Sequence, residues 1–198
     1  MVKKYSSSSI TRTGLEEFEK TLIDPKQKEL YTKIILPNIS RDPLSHVLNK
    51  RVFLEHYLNE YQRAKKENYL DGLAYILIGI NEYDLICEMD DNTNDEVLNN
   101  TGQILKGSFR NKDIIGRFAD DSFSIVLTEI SEKVAFARAK DLIFSYSTHE
   151  MSGLYFSISA GLVYFDGKNN TSPFHIIERA EEKLDKAKLR GGLKEPLY

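Results

Sequence analysis

The segment Leu73-Ala-Tyr-Ile-Leu-Ile-Gly-Ile80 is a short, unbroken apolar run, and it constrains the fold more than any other stretch. Such a run suits a strand covered on both faces, because a half-exposed strand alternates apolar and polar residues instead. The segments around it supply the cover. Phe53 to Tyr69 places Phe53, Leu54, Tyr57, Leu58 and Tyr61 at the spacing of an amphipathic helix. Helices are also expected over Asp95 to Phe109, Ser131 to Tyr146, and Phe174 to Leu189, the last rich in Glu and Lys. Ile114 to Phe118 and Phe123 to Leu127 are expected as two strands joined through Ala119-Asp-Asp-Ser122, a connection short enough for a hairpin. Leu154 to Phe165 completes the set as a strand. Helices alternating with strands around one central hairpin predict an α+β sandwich, with helices packed on a mostly antiparallel sheet.

The 198 residues suffice for one domain with an extension. Residues 1–14 are polar and Ser-rich and are expected to form a flexible tail. Residues 15–40 carry broken helical periodicity, residues 41–192 form the body, and 193–198 a short C-terminal tail. A net charge of −3 gives no basic field to hold DNA, so nucleic acid is not an expected partner. Cys87 is the one cysteine, which excludes an internal disulfide and fits a reducing compartment. No apolar h-region opens the chain, and nothing approaches the roughly 20 apolar residues of a membrane span, so a cytoplasmic location is expected. Asn99-Asn-Thr101 and Asn169-Asn-Thr171 match glycosylation sequons by chance on this reading. His46, His56, His149 and His175 lack metal-ligand spacing.

Four segments carry a family resemblance when taken in order. They are Asp42-Pro-Leu-Ser-His-Val-Leu-Asn-Lys-Arg-Val-Phe53, Arg117-Phe-Ala-Asp-Asp-Ser-Phe123, Ser157-Ile-Ser-Ala-Gly161, and Ala180 through Ala187-Lys188 to Gly191. Together they resemble the GGDEF domains, relatives of the diguanylate cyclases, over roughly residues 40–192. The resemblance implies a nucleotidyl cyclase or polymerase palm fold with the signature hairpin at the active edge. Active members join two GTP molecules into cyclic di-GMP across a homodimer. That reaction uses carboxylates to hold divalent ions on the triphosphate, and glycines that let the hairpin approach the nucleotide.

Several positions depart from that pattern. Gly79 stands where the resemblance implies a metal-binding Asp, and Ser122 where it implies the catalytic Glu. Ala119 and Asp120 replace the signature glycines, and Asp121 is the one acidic group left in register at the centre. Cys87 replaces an Asn that contacts guanine, whereas Asp95 fits a retained base contact. Gly192 replaces an Arg near the phosphates, and Lys188 is kept. Groups that act as a unit rarely survive several losses, so the expectation from sequence is that the chain is not an enzyme and that Mg²⁺ is not its cofactor. The bland reading of Asp113, Asp120 and Asp121 is solvated turn residues.

Upstream of the signature, Arg110-Asn-Lys-Asp113 has the form Arg-x-x-Asp, with Arg110 nine positions before Ala119. In the family this motif forms an inhibitory site for an intercalated dimer of cyclic di-GMP. A guanidinium can donate to guanine O6 and N7, and a carboxylate can accept from N1–H and N2–H. The bland alternative is an exposed ion pair. Arg138 is the nearest candidate for a third contact, although the best-aligned positions hold Ala139 and Asp141. The expectation is therefore a cyclic di-GMP receptor or adaptor, possible as a homodimer, that meets a protein partner through residues 1–40. The alternatives are a nucleotide-independent interaction module and a weak residual diguanylate cyclase.

Overall fold

The computed structural model of the chain describes residues 40–66, 72–89, 91–168 and 170–189. The expected tails over 1–14 and 193–198, and all but the last residue of the 15–40 extension, lie outside these. Helix α1 spans Lys50–Lys66. It starts earlier than the apolar spacing alone predicts because Asn49 caps it, its Oδ1 accepting from the Val52 N–H at 2.9 Å. Strand β1 is Leu73–Ile80, as expected. A short helix α2, Tyr83–Met89, and then α3, Asp91–Ser108, follow it. The periodicity had given one helix from Asp95. Asn and Asp offer the backbone competing hydrogen bonds, which hides helix in the stretch before Glu96. Burial of Ile86, Val97 and Leu98 overrides that preference.

Strands β2, Ile114–Arg117, and β3, Ser122–Leu127, form the expected hairpin, and α4 spans Glu132–Ser147. The single strand expected over Leu154 to Phe165 is two. Glu150–Met151 (β4) pairs with Leu154–Tyr155 (β5) through a turn at Ser152, φ 50°, and Gly153, φ 75°. Positive φ at both central residues is what a two-residue hairpin of matching twist requires. Strand β6, Ile158–Phe165, then joins the main sheet, and α5, Pro173–Lys188, closes the fold. Ser172 caps α5 by accepting from the Phe174 N–H at 3.3 Å, with Pro173 in the first turn.

The main sheet has the order β2-β3-β1-β6, and every described strand pairing in it is antiparallel. All eight residues of β1 are buried, which explains the unbroken apolar run. They alternate between two layers. Leu73, Tyr75 and Leu77 pack with Phe53, Tyr57 and Tyr61 of α1 and Ile176, Ala180 and Leu184 of α5. Ala74, Ile76, Ile78 and Ile80 pack with Ile86 of α2, Leu98 and Leu105 of α3, and Ala139, Leu142 and Tyr146 of α4. No helix among the described residues is long and apolar enough to cross a membrane.

Buried tyrosines stitch these layers with their hydroxyls. Tyr57 donates to the Pro173 carbonyl at 2.9 Å, Tyr61 donates to that of Thr171, and Tyr75 bonds Ser124 Oγ at 2.7 Å. Tyr146 bonds Thr101 Oγ1 at 2.8 Å, and burial pushes its hydroxyl up to about 12. Burial also holds Tyr57 and Tyr75 well above the ordinary tyrosine range. The folded state thus prefers the neutral phenols. Their stabilisation is complete below the unfolded value of 10.0 and is lost as pH rises through the folded values. Tyr146 alone is expected to withdraw roughly 2 kcal/mol by pH 12. Phenolate absorbance should rise together with loss of helical circular dichroism above pH 10; buried tyrosines that ionise at 10 in the folded protein would contradict this.

Candidate functional site

The β2–β3 hairpin is fixed before its loop is reached. Arg117 N–H donates to the Leu48 carbonyl at 2.8 Å, and Leu48 N–H to that of Ile115 at 3.1 Å, so the entry segment lies along β2. The Arg117 guanidinium then reaches three anchors. Nη2 donates to the Asp120 carbonyl at 2.8 Å, Nε to that of Ala119 at 3.3 Å, and Nη1 to Asp42 Oδ1 at 3.2 Å. Asp42 also accepts from the N–H and Oγ–H of Ser45, at 2.8 and 2.7 Å. Arg117 and Asp42 are 14% and 16% exposed, a shielded pair rather than a solvated one. Lys50 Nζ sits 4.0 Å above the Phe118 ring and holds the near end of the loop. The structural role of Arg117 and Asp42 escaped the sequence, although both stand in the quoted motifs; an Asp and an Arg 75 positions apart carry no local signal.

Asp121 ends the loop beside β1, its carbonyl accepting from the Ile80 N–H at 2.9 Å. Gly79 is the cross-strand partner of both Ser122 and Ser159. Opposed residues of antiparallel strands point to one face, so the small positions 122, 79 and 159 form a shallow floor beneath α5. Ser122 and Ser159 are buried. Lys188, in the last turn of α5, lies across this floor and bonds Asp121 Oδ2 at 2.6 Å. The signature positions Gly79, Asp121 and Ser122 and the retained Lys188 therefore meet at one sheet end, with Ala119 and Asp120 in the adjoining loop. Gly192 lies outside the described residues.

These side chains do not fit the divalent ions that the resemblance implies. Asp121 supplies the carboxylate, but its Oδ2 already holds an ammonium. Gly79 and Ser122 supply none. No group of three or more His, Cys, Asp or Glu among the described residues is placed to hold a metal.

Cys87 and Asp95, the positions aligned with base contacts, are exposed on the adjacent helices α2 and α3. Beside them Tyr83 hydrogen-bonds with Cys87 and Asn94, and burial followed by Cys87 pushes its hydroxyl up to about 12. Asn94 Oδ1 is buried without a hydrogen-bond partner among the described residues.

The Arg-x-x-Asp motif sits in the turn between α3 and β2. Asp113 Oδ2 accepts from the Arg110 N–H at 2.9 Å, and the Asp113 N–H donates to the Arg110 carbonyl at 2.9 Å. The turn is closed by the Asp113 carboxylate and one backbone bond, and the exposed Arg110 guanidinium takes no part in closing it. Lys112 ties the turn to Glu129 at 2.6 Å, and this contact holds the Glu129 carboxyl below its ordinary value. Arg138 is half-buried on α4, with no described contact to Arg110 or Asp113. Ala139 is buried in the core and Asp141 is exposed.

Comparison with known proteins gives this geometry a lineage. The family model described as "Diguanylate cyclase, GGDEF domain" matches residues 39–194. Diguanylate cyclase DosC of Escherichia coli K12 is 26% identical over 170 residues, covering 83% of this chain. The chain spans 36% of the length of that relative. The FimX GGDEF domain of Pseudomonas aeruginosa superposes with a TM-score of 0.72 at 21% identity, over 79% of this chain and 99% of that one. The GGDEF domain of DgcB from Caulobacter crescentus, solved in complex with c-di-GMP, gives 0.69 at 16%, over 77% of this chain and 89% of that one. These likenesses show the expected palm-like cyclase fold.

They also correct one expectation. The residue losses at Gly79, Ala119, Asp120 and Ser122 had pointed to a chain that is not an enzyme. The curated relatives matched over most of its length are named diguanylate cyclases, which are enzymes. Counting missing side chains weighed individual groups and left out the fold, which is that of the family. The chain belongs to the GGDEF domain family.

Proposed function

We propose that this GGDEF domain is a receptor for cyclic di-GMP, read by Arg110 and Asp113 with Arg138 as the candidate third contact, and that it passes the bound state to a protein partner. The observation that supports this most is the turn itself. The Asp113 carboxylate and one backbone bond close a short loop that carries both residues, while the Arg110 guanidinium stays exposed to solvent. A carboxylate has about four acceptor sites, so the bond from the Arg110 N–H leaves capacity for guanine N1–H and N2–H. The guanidinium supplies the opposite edge with two donors to O6 and N7. A second reading, condensation of GTP to cyclic di-GMP, is favoured by the names of the curated relatives and by the retained Asp121.

Calorimetric titration with cyclic di-GMP tests the first reading. Wild-type protein should bind, and Arg110→Ala should weaken binding about tenfold to a hundredfold, the worth of one bidentate guanine contact. Unchanged affinity in Arg110→Ala, or no heat with wild type, would refute it. Incubation with GTP, followed by chromatography for the cyclic dinucleotide, decides the second reading separately.

A further inference from the structure

At the signature edge the loss of a side chain and the placement of a cation are one structural fact. A Cβ built on Gly79 would stand 2.6 Å from Lys188 Cε and 2.9 Å from its Nζ. Only glycine at position 79 lets the lysine stem cross the strand this closely. The ammonium then ends on Asp121 Oδ2 at 2.6 Å, with Lys188 36% and Asp121 30% exposed. The negative end of the α5 dipole lies at the same turn and favours positive charge there. A Mg²⁺ ion on that oxygen would sit about 2.0–2.1 Å away, inside the volume the ammonium fills on the Gly79 side. The carboxylate is also already neutralised.

We propose that Lys188 is a resident cation that takes the place of a divalent ion at this edge and supplies one of its two positive charges, so that a phosphate-bearing nucleotide is accepted there without metal. Gly79 is its positioning residue. A side chain at position 79 would make the flexible end of the lysine shift from its present path, and a carboxylate there would restore a demand for metal. The floor of Ser122 and Ser159 adds no competing negative charge, and incoming phosphates meet an ammonium whose four-carbon stem can follow them. This site is separate from the Arg110 turn, so either proposal can fail without the other.

The test uses the full chain, Mn²⁺ alone and GTP. The electron paramagnetic resonance signal of free Mn²⁺ should be unchanged by stoichiometric wild-type protein. GTP affinity by calorimetry should agree within about twofold in Mg²⁺ and in EDTA. Lys188→Ala should lose about tenfold or more of the affinity in EDTA, the effect of removing one charged contact. Gly79→Asp combined with Lys188→Ala should gain Mn²⁺ binding, and a melting curve reports whether that variant is folded. Three results each overturn the proposal: Mn²⁺ bound by wild type and released in Asp121→Asn, GTP bound only with metal, or GTP bound under neither condition.

Discussion

Gly161→Ala is expected to cost about 3 kcal/mol or more, among the largest effects of a single added methyl anywhere in this domain. Gly161 lies mid-strand in β6, opposite Leu77, where α5 crosses the sheet. A Cβ there would overlap the Ala180 carbonyl oxygen and come within 2.7 Å of the Leu184 amide nitrogen. Both obstacles are backbone, so no rotamer change relieves them. The helix must lift, and with it go the packing of Ile176, Ala180 and Leu184 and the reach of Lys188. Urea denaturation followed by circular dichroism measures the loss. Gly107→Ala is the control: nothing lies within 4 Å of a Cβ at that helical position, so the same methyl should stabilise by about 0.5–1 kcal/mol. Equal effects at the two sites would mean that the close helix–strand approach is not what position 161 requires.

The second large effect belongs to Arg117→Ala. The guanidinium satisfies the Ala119 and Asp120 carbonyls and Asp42, so truncation leaves a shielded carboxylate without its cation and the signature loop without its tie. Breaking a fully buried pair costs about 3–5 kcal/mol. With partial exposure of both partners, about 2–4 kcal/mol is expected. Arg117→Lys should recover little of it, because one ammonium cannot span two carbonyls and a carboxylate in fork geometry. Denaturant midpoints for the two variants check this, and full rescue by lysine would show that charge alone matters.

Most of the architecture was legible in the chain because two periodicities survive there. The apolar run of β1 and the helical spacing of Phe53, Tyr57 and Tyr61 both report burial directly. Helix α2 and the β4–β5 hairpin were not legible. The first is short and precedes a run of Asn and Asp, and the second depends on two positive-φ residues, one of them a serine. The signature edge was half legible. Position 79 shows in sequence as an absent carboxylate, whereas in space it is a filled volume, because the filling atoms come from Lys188 more than a hundred positions later. The relatives named diguanylate cyclases show that a tally of missing groups is not enough to set the chain apart from enzymes.

Strand β1 has no solvent side. Its odd-numbered residues belong to one oily slab and its even-numbered residues to the other, so the two slabs share a wall. Stripping either one uncovers the shared strand and leaves its neighbour without half its lining. The interior therefore gives way as a single unit, and whatever is felt at the signature edge, where this wall ends at Gly79 and Ile80, is felt on both faces of the domain at once.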